Sequence, residues 1–426
     1  MKKYLLAIAL FMASQYSNSQ DLKSITINVT LKKFDAAKTE VDKFLSVEKN
    51  AAKPEGWYYK AYIYNSLARD PKKTVAESKS LNDEAYAALK KYAQLDPKIA
   101  LTKEENNSTL FNLYYAYYDL GIKTYNEKKY PESFDLFKSS LDVHDYGISN
   151  KLDGPNGLKF AAHDTDLVWN LAVLANELKK KDEALMFYKK IADANLGAEK
   201  YANAYDELVK KYKSEKNAEL FNKYVAAAKK YYPVDIPYWE NKEIEFALDG
   251  FENEALLNKY EELTKTFPNN YIVFYNYAVE VDKFLGTDAA KNKDATAVAA
   301  YRTKIEDLFK KAVSIKPNIE GNLQLANLYY SKTYDLQERA AKIKGTKPAE
   351  IKAKNDLNAA VKASMTQAIP FAEEAAKMLG ELKEYKFSDK ANYKLALEIL
   401  SNAYKMGGNT AKFAEIEKKR AEVEKL

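Results

Sequence analysis

The sequence predicts an all-α protein, and three observations carry that expectation. Glycine and proline are scarce, 13 and 11 in 426 residues, so there are few places where a helix must break. Ala, Lys, Glu and Leu, which lose little side-chain freedom in a helix, fill the chain, while the apolar–polar alternation of a half-buried strand is nearly absent. Finally, one pattern recurs along the chain: a large residue, a small one four positions on, a turn, and a second amphipathic segment. Only "SITINV" (24–29) has the β-branched density of a strand, and its surroundings predict a helix there too.

Residues 1–19 read separately from the rest. Lys2 and Lys3 precede the apolar run "YLLAIALFMA" (4–13), and Ser17 and Ser19 suit a signal peptidase cutting before Gln20. Ten apolar residues fall well short of the roughly 20 that span a bilayer as a helix. The expectation is a cleaved export signal and a periplasmic or secreted chain from Gln20. With no cysteine, neither a lipidated anchor nor a disulfide is possible, so packing alone holds the fold. Removing Lys2 and Lys3 lowers the formal charge from +6 to +4, carried by 65 cations against 61 acids. Lys interleaves with Glu and Asp almost everywhere, the pattern of a solvated helix surface, and no nucleic-acid partner is expected.

The recurring pattern is clearest in "Y117xxLG121…Y130xxS133xxxF137". It returns as "W57xxKA61xxY64", as "LA172" leading into "KKKDEALMFYKKI", and around Val209, Ile244 and Val279, which lie 35 residues apart. Pro233 follows Val209 by 24 positions and Pro268 follows Ile244 by the same 24. This resembles the tetratricopeptide repeat family, whose unit is a pair of antiparallel helices with a small residue at their closest approach and a proline closing the second helix. The resemblance covers nearly the whole chain after residue 19. It implies a right-handed superhelical solenoid of about nine degenerate pairs, with packing residues Ile25, Ala61, Gly121, Ala172, Val209, Ile244, Val279, Asn327 and Ser401. Val and Ile replace the usual small residue in several units, and Asn327 and Ser401 are polar.

Three segments lengthen the repeat: 69–83, 286–297 and 333–364. The last is rich in helix formers around a "KGTKP" turn and predicts a long helical hairpin, in which Pro370 either kinks the second helix or marks its start. Four Gly or Pro residues between 147 and 157 break the helical texture. The domain reading is therefore an N-terminal block at 20–145, an irregular connecting loop at 146–163 and a C-terminal block at 164–426.

Both histidines, His144 and His163, flank that loop among several aspartates. A metal-dependent hydrolase centred on 142–166 is one functional reading, although the spacing matches no metal motif. The alternative there is a turn whose Asp164 or Thr165 caps the helix bearing Trp169. There is no phosphate loop, no G-x-S-x-G elbow and no possible cysteine nucleophile, so no enzyme is expected and no cofactor or metal is assigned.

The stretch "LYYAYYDLG" (113–121) carries the binding argument. At 100° per residue Tyr117, Gly121 and Thr124 share one helix face, while Tyr115, Tyr118, Ile122 and Tyr125 share another. In the repeat family the second stripe lines the concave surface where extended peptides bind. Carried over position by position, it gives Tyr58, Tyr62 and Asn65 in the second unit, Tyr115, Tyr118 and Tyr125 in the third, and Trp169 and Asn176 in the fourth. Farther on it turns charged, as at Asp206, Lys210, Glu280 and Lys283. The positions where chaperone-docking relatives place carboxylate-binding cations hold Tyr58, Tyr118, Trp169, Asp206 and Asn241, so that activity is not expected. The functional expectation is a non-enzymatic scaffold binding an extended segment of a partner protein. Glycan capture on the same aromatic rings is the alternative.

Overall fold

The computed structural model describes residues 20–345 and 347–425; the expected export signal at 1–19 lies outside the described residues. The first helix pair is Gln20–Thr30 (α1) with Phe34–Leu45 (α2). After the short Glu48–Ala51 (α3), Pro54–Ala68 (α4) pairs with Val75–Leu95 (α5). A second short helix, Ala100–Glu104 (α6), precedes three further pairs: Ser108–Asn126 (α7) with Tyr130–Ser149 (α8), Thr165–Glu177 (α9) with Lys181–Asp193 (α10), and Ala202–Ser214 (α11) with Ala218–Tyr231 (α12). These belong to one compact unit, which ends at Tyr232; a second begins at Pro233. In the second unit Ile236–Leu248 (α13) packs on Asn253–Thr266 (α14). Tyr271–Leu285 (α15) leads through Asp288–Lys291 (α16) to its partner Ala295–Ile315 (α17). Ile319–Lys342 (α18) with Pro348–Gly380 (α19), and Phe387–Met406 (α20) with Thr410–Val423 (α21), complete it. The fold is all-helical and tetratricopeptide-like, and each of the nine expected packing residues falls on the first helix of one of these nine pairs.

Prolines end the second helices as their geometry requires. A proline clashes with an α-conformation in the residue before it. Asp96, Tyr232, Phe267 and Lys316, each just before a proline, accordingly leave the helix at φ −122, −124, −122 and −146°. The turns inside the pairs share a second device, which the sequence pattern alone did not reveal. Lys32, Lys128, Lys179 and Lys216 take left-handed φ of 53 to 59°, and Gly408 takes one of 69° in an equivalent turn. The next residue's amide then reaches back across the helix end, for example Lys129 N to Thr124 O at 2.9 Å and Lys180 N to Ala175 O at 2.8 Å. That is the six-to-one bond that closes orphan carbonyls at a helix C-terminus.

Buried tyrosine rings are tied across the seams by their hydroxyls. Tyr64 donates to Asp42 at 2.6 Å, Tyr117 to Asp83 at 2.7 Å, Tyr224 to Asp193 at 3.1 Å, Tyr277 to Glu261 at 3.0 Å and Tyr329 to Glu306 at 2.7 Å. A ring supplies apolar area to the core while its polar tip meets a partly exposed carboxylate, which explains why this chain uses Tyr where Phe would leave nothing to orient.

Two expectations need correction. In the packing phase, Ala278 and Ala326 are wholly buried, whereas Val279 and Asn327, one residue later, are only partly so. The lengthened spacing at 69–83 is taken up by the connector 69–74 and by α5, which grows to 21 residues and is opened by a reciprocal Thr74–Glu77 cap. The division between compact units falls at Tyr232/Pro233 and not in 146–163. The physical reason is that α8 continues to Ser149 and the following segment folds back onto its own unit. Phe160 stacks on Phe111 with centroids 4.1 Å apart, and Asn107 Nδ2 donates to the Asp153 carbonyl at 2.7 Å. The long hairpin at 333–364 forms as expected, with Pro370 inside the single helix α19.

Candidate functional site: the first-helix faces of α4, α7 and α9

On α7 the two tyrosine faces separate as the helical wheel requires. Tyr117, Gly121 and Thr124 are buried, and a Cβ on Gly121 would stand 2.7 Å from the Phe137 ring of α8. Ser133 Oγ donates to the Gly121 carbonyl at 2.9 Å, so the two helices are in close contact here. On the other side Tyr115 is 45% exposed, Tyr125 43% and Ile122 37%. Tyr118 is half-buried between them, stacked on Tyr114 at 6.2 Å and leaning on Phe137 at 5.5 Å.

The neighbouring helix α9 begins with Asp164, whose side chain accepts the Leu167 amide at 3.1 Å, the capping role expected of it. The same carboxylate accepts the Tyr114 hydroxyl at 2.6 Å, bringing the N-terminal turns of α7 and α9 within reach of one side chain. Partial burial, and then the carboxylates of Asp164 and Asp166, raise the Tyr118 hydroxyl above its ordinary pKa, so Tyr118 looks toward the start of α9. Trp169 is half-buried, edge-on to Tyr201 at 5.3 Å, while Val173 and Asn176 are exposed farther along the helix. Lys200 pairs with Asp166 at 3.0 Å on the rim. Five of the eight expected site residues, Tyr115, Tyr118, Tyr125, Trp169 and Asn176, thus lie on partly or fully open surface of two consecutive first helices.

On α4 the expectation fails for two of the three residues, Tyr58 and Asn65. Tyr58 is only 6% exposed, packed against Tyr59 and Tyr92, and Tyr62 is half-buried beside Phe34. Asn65 is buried too: its amide donates to Asn82 on α5 at 3.0 Å, making it part of the seam inside the pair. The cause is the connector between α5 and α7, which carries α6 and lies over α4. Its Glu105 is 8% exposed and takes hydrogen bonds from Tyr58 and from the Thr109 amide at 3.3 Å. Burial pushes this carboxyl up to about 7, with those bonds opposing the rise. Ile99 and Leu101, two aliphatics in an otherwise polar connector, are the sequence signal that it packs onto something; Ile99 even accepts a left-handed φ of 47°.

The two histidines sit in different settings. His144 is buried, its ring nitrogens 3.0 Å from Asp145 Oδ1 and 2.9 Å from the Ala161 carbonyl oxygen, so both are engaged within the fold. Together with the exposed His163 it borders an open cavity of about 410 Å³, walled by Leu141, Val168 and Ile191. Lys190 at its rim is paired with Asp145 at 3.1 Å and Lys189 with Asp193. Among the described residues no three His, Asp or Glu side chains converge as a metal ion requires.

No family model matches the chain, and no curated protein matches it either. Similar solved structures include the crystal structure of MamA protein, 16% identical over 51% of this chain and 93% of that one, with a TM-score of 0.20. The human IFIT1 dimer with m7Gppp-AAAA is 15% identical, covers 85% of this chain and 94% of that one, and has a TM-score of 0.23. The APC/C hetero-tetramer Cut9-Hcn1 is 12% identical over 96% of this chain and 88% of that one, with a TM-score of 0.19. The tetratricopeptide-like description rests on the chain's own repeat geometry.

Proposed function

We propose that this protein is an exported, non-enzymatic scaffold that binds an extended segment of a partner protein along the open faces of α7 and α9. The observation that carries the reading is the stripe itself: on two consecutive first helices Tyr115, Ile122, Tyr125 and Val173 are left exposed, with Tyr118 and Trp169 half-open among them. Aromatic rings with polar tips give large contact area at low entropic cost, which is what anchors an interface. From Tyr115 to Tyr125 the stripe runs about 15 Å, enough for roughly four or five residues of extended peptide. The exposed Asn176 amide offers both a donor and an acceptor to such a backbone. Export rests on the pattern of residues 1–19 and places the scaffold in a periplasm or outside the cell; an N-terminus at Gln20 in the native protein would support it, and an intact Met1 would refute it.

Panning a displayed library of linear peptides on the wild type and on the Tyr118→Ala/Trp169→Ala variant tests the site. The wild type should enrich linear sequences that the variant does not retain. If neither retains peptides but an immobilised glycan panel binds in a Trp169-dependent way, the surface is a sugar-stacking platform.

A further inference from the structure

The hairpin of α18 and α19 concentrates charge that the sequence pattern disperses elsewhere. Residues 339–354 hold six cations (Arg339, Lys342, Lys344, Lys347, Lys352 and Lys354) against one acid, Glu350. The remainder of the chain is then left with 61 cations and 60 acids, so nearly the whole net charge sits in this one turn. The hairpin is also long: α19 alone has 33 residues, about 50 Å of helix. Of the described residues from 341 to 356, all but Ile343 and Glu350 are exposed, so the tip packs against nothing but its own two strands of helix.

The tip's own acids do not neutralise it. Lys342 is paired with Glu338 and Lys352 with Asp356, each within its own helix, while Glu350 turns back to cap α19 through the Lys347 amide. Arg339, Lys344, Lys347 and Lys354 have no carboxylate within ion-pair distance among the described residues. Between them stands Ile351, 49% exposed.

We propose that this tip is a docking surface for an anionic lipid bilayer, its cations meeting headgroup phosphates while Ile351 enters the boundary with the acyl chains. The choice of partner follows from the residue types. Five of the six cations are lysine and no aromatic residue is present, whereas protein interfaces are enriched in Arg and aromatics and depleted of Lys. Lysines gathered at a membrane surface are attracted to acidic lipids without needing a fixed partner geometry. A nucleic-acid backbone would satisfy the charges but offers no apolar medium for Ile351. No described helix is long and apolar enough to cross a membrane, so the contact is peripheral.

The test uses the chain from Gln20, which contains every described helix of both units and lacks the apolar run 4–13. Sedimentation with phosphatidylcholine vesicles, with and without phosphatidylglycerol, should show binding only to the anionic set, lost at molar salt where the Debye length falls to about 3 Å. Lys344→Glu/Lys347→Glu/Lys354→Glu should weaken binding by about a hundredfold or more, since each lysine near such a surface contributes roughly a factor of five. Lys49→Glu/Lys72→Glu/Lys98→Glu, with the same change in total charge, should bind as the wild type does. Helical circular dichroism on all three proteins establishes that the tip variant is folded. Equal binding to neutral vesicles, no binding to anionic ones, or equal loss in both variants overturns the proposal. A duplex DNA gel shift abolished by the tip variant, with vesicles ignored, reassigns the surface to nucleic acid.

Discussion

The faces of α4 and α7 carry tyrosines at the same place in the repeat and end differently. Tyr58, three residues before Ala61, is closed over by a connector that brings Glu105 to its hydroxyl, while Tyr118, three residues before Gly121, remains half-open. Nothing in either helix decides this. Twelve residues separate α5 from α7, enough to cross back over the α4 face, whereas three separate α7 from α8. The connector after α8, also long, spends itself stacking Phe160 on Phe111 and leaves the stripe of α7 uncovered. Whether an aromatic stripe is a binding surface therefore depends on where the neighbouring connectors lie.

The strongest way to break this comparison is to remove the rings. Tyr58→Ala and Tyr117→Ala should each lose about 3–5 kcal/mol in a denaturant titration, the cost of a large cavity at a buried aromatic site. Tyr118→Ala/Trp169→Ala should lose distinctly less, because both side chains keep contact with water. If the Tyr118/Trp169 variant unfolds as readily as Tyr117→Ala, all four rings are core and the open face does not exist.

The next effect belongs to the covering connector. Glu105 has its pKa raised from 4.5 to about 7 in the folded chain. A carboxyl so shifted is fully compatible with folding below its unfolded pKa, and its contribution is lost as pH climbs toward the folded value. Between pH about 4.5 and 7 the wild type should thus lose on the order of 3 kcal/mol relative to Glu105→Gln, which stays neutral throughout, with the difference constant above pH 7. Parallel stability–pH curves for the two proteins would mean that Glu105 is solvated and the connector does not seal α4.

Much of the fold was legible because its cause is local and periodic. The 35-residue spacing of Val209, Ile244 and Val279, and the prolines after the second helices, act within a single pair, so the sequence shows them directly. The phase is off by one at Val279 and Asn327 because the small residue at each crossing is the alanine just before it, Ala278 or Ala326, and repeat spacing alone points past it. The open stripe of α7 and α9 followed from the same wheel that placed Tyr117 in the core. Burial of Tyr58 and Asn65 did not, since it depends on tertiary contacts with Glu105 and Asn82 that no periodicity encodes. The six cations of 339–354 are contiguous in the sequence, and what the structure adds is the exposure of their neighbourhood at the ends of α18 and α19.

Gly121→Leu sharpens the comparison from beneath the stripe. Its new side chain would begin 2.7 Å from Phe137, so the α7–α8 pair must part or Phe137 must move, at a cost of about 1–3 kcal/mol or more. Because Tyr118 leans on that same Phe137, the substitution should also lower affinity for any peptide bound through Tyr118. An unchanged denaturation midpoint would argue that Gly121 is not at the crossing.

The smallest expected change in stability is the most informative about function. Tyr115 and Tyr125 project from the open face with nearly half of each surface in water. Tyr115 does touch Tyr114 edge-on at 4.9 Å, and Tyr125 leans toward Tyr130 at 5.5 Å, but both partners keep other contacts when the exposed ring is removed. Tyr115→Ala/Tyr125→Ala should therefore shift the unfolding free energy by only about 0.5 kcal/mol per site, the usual range for surface substitutions. Binding of a peptide enriched on the wild type should nevertheless fall, because a ring that contributes little to the core has its area free to be buried by a partner. Isothermal titration of that peptide against both proteins separates the cases: unchanged affinity with unchanged stability would show that these rings serve neither the core nor an interface, and the binding surface would then have to lie elsewhere on α9.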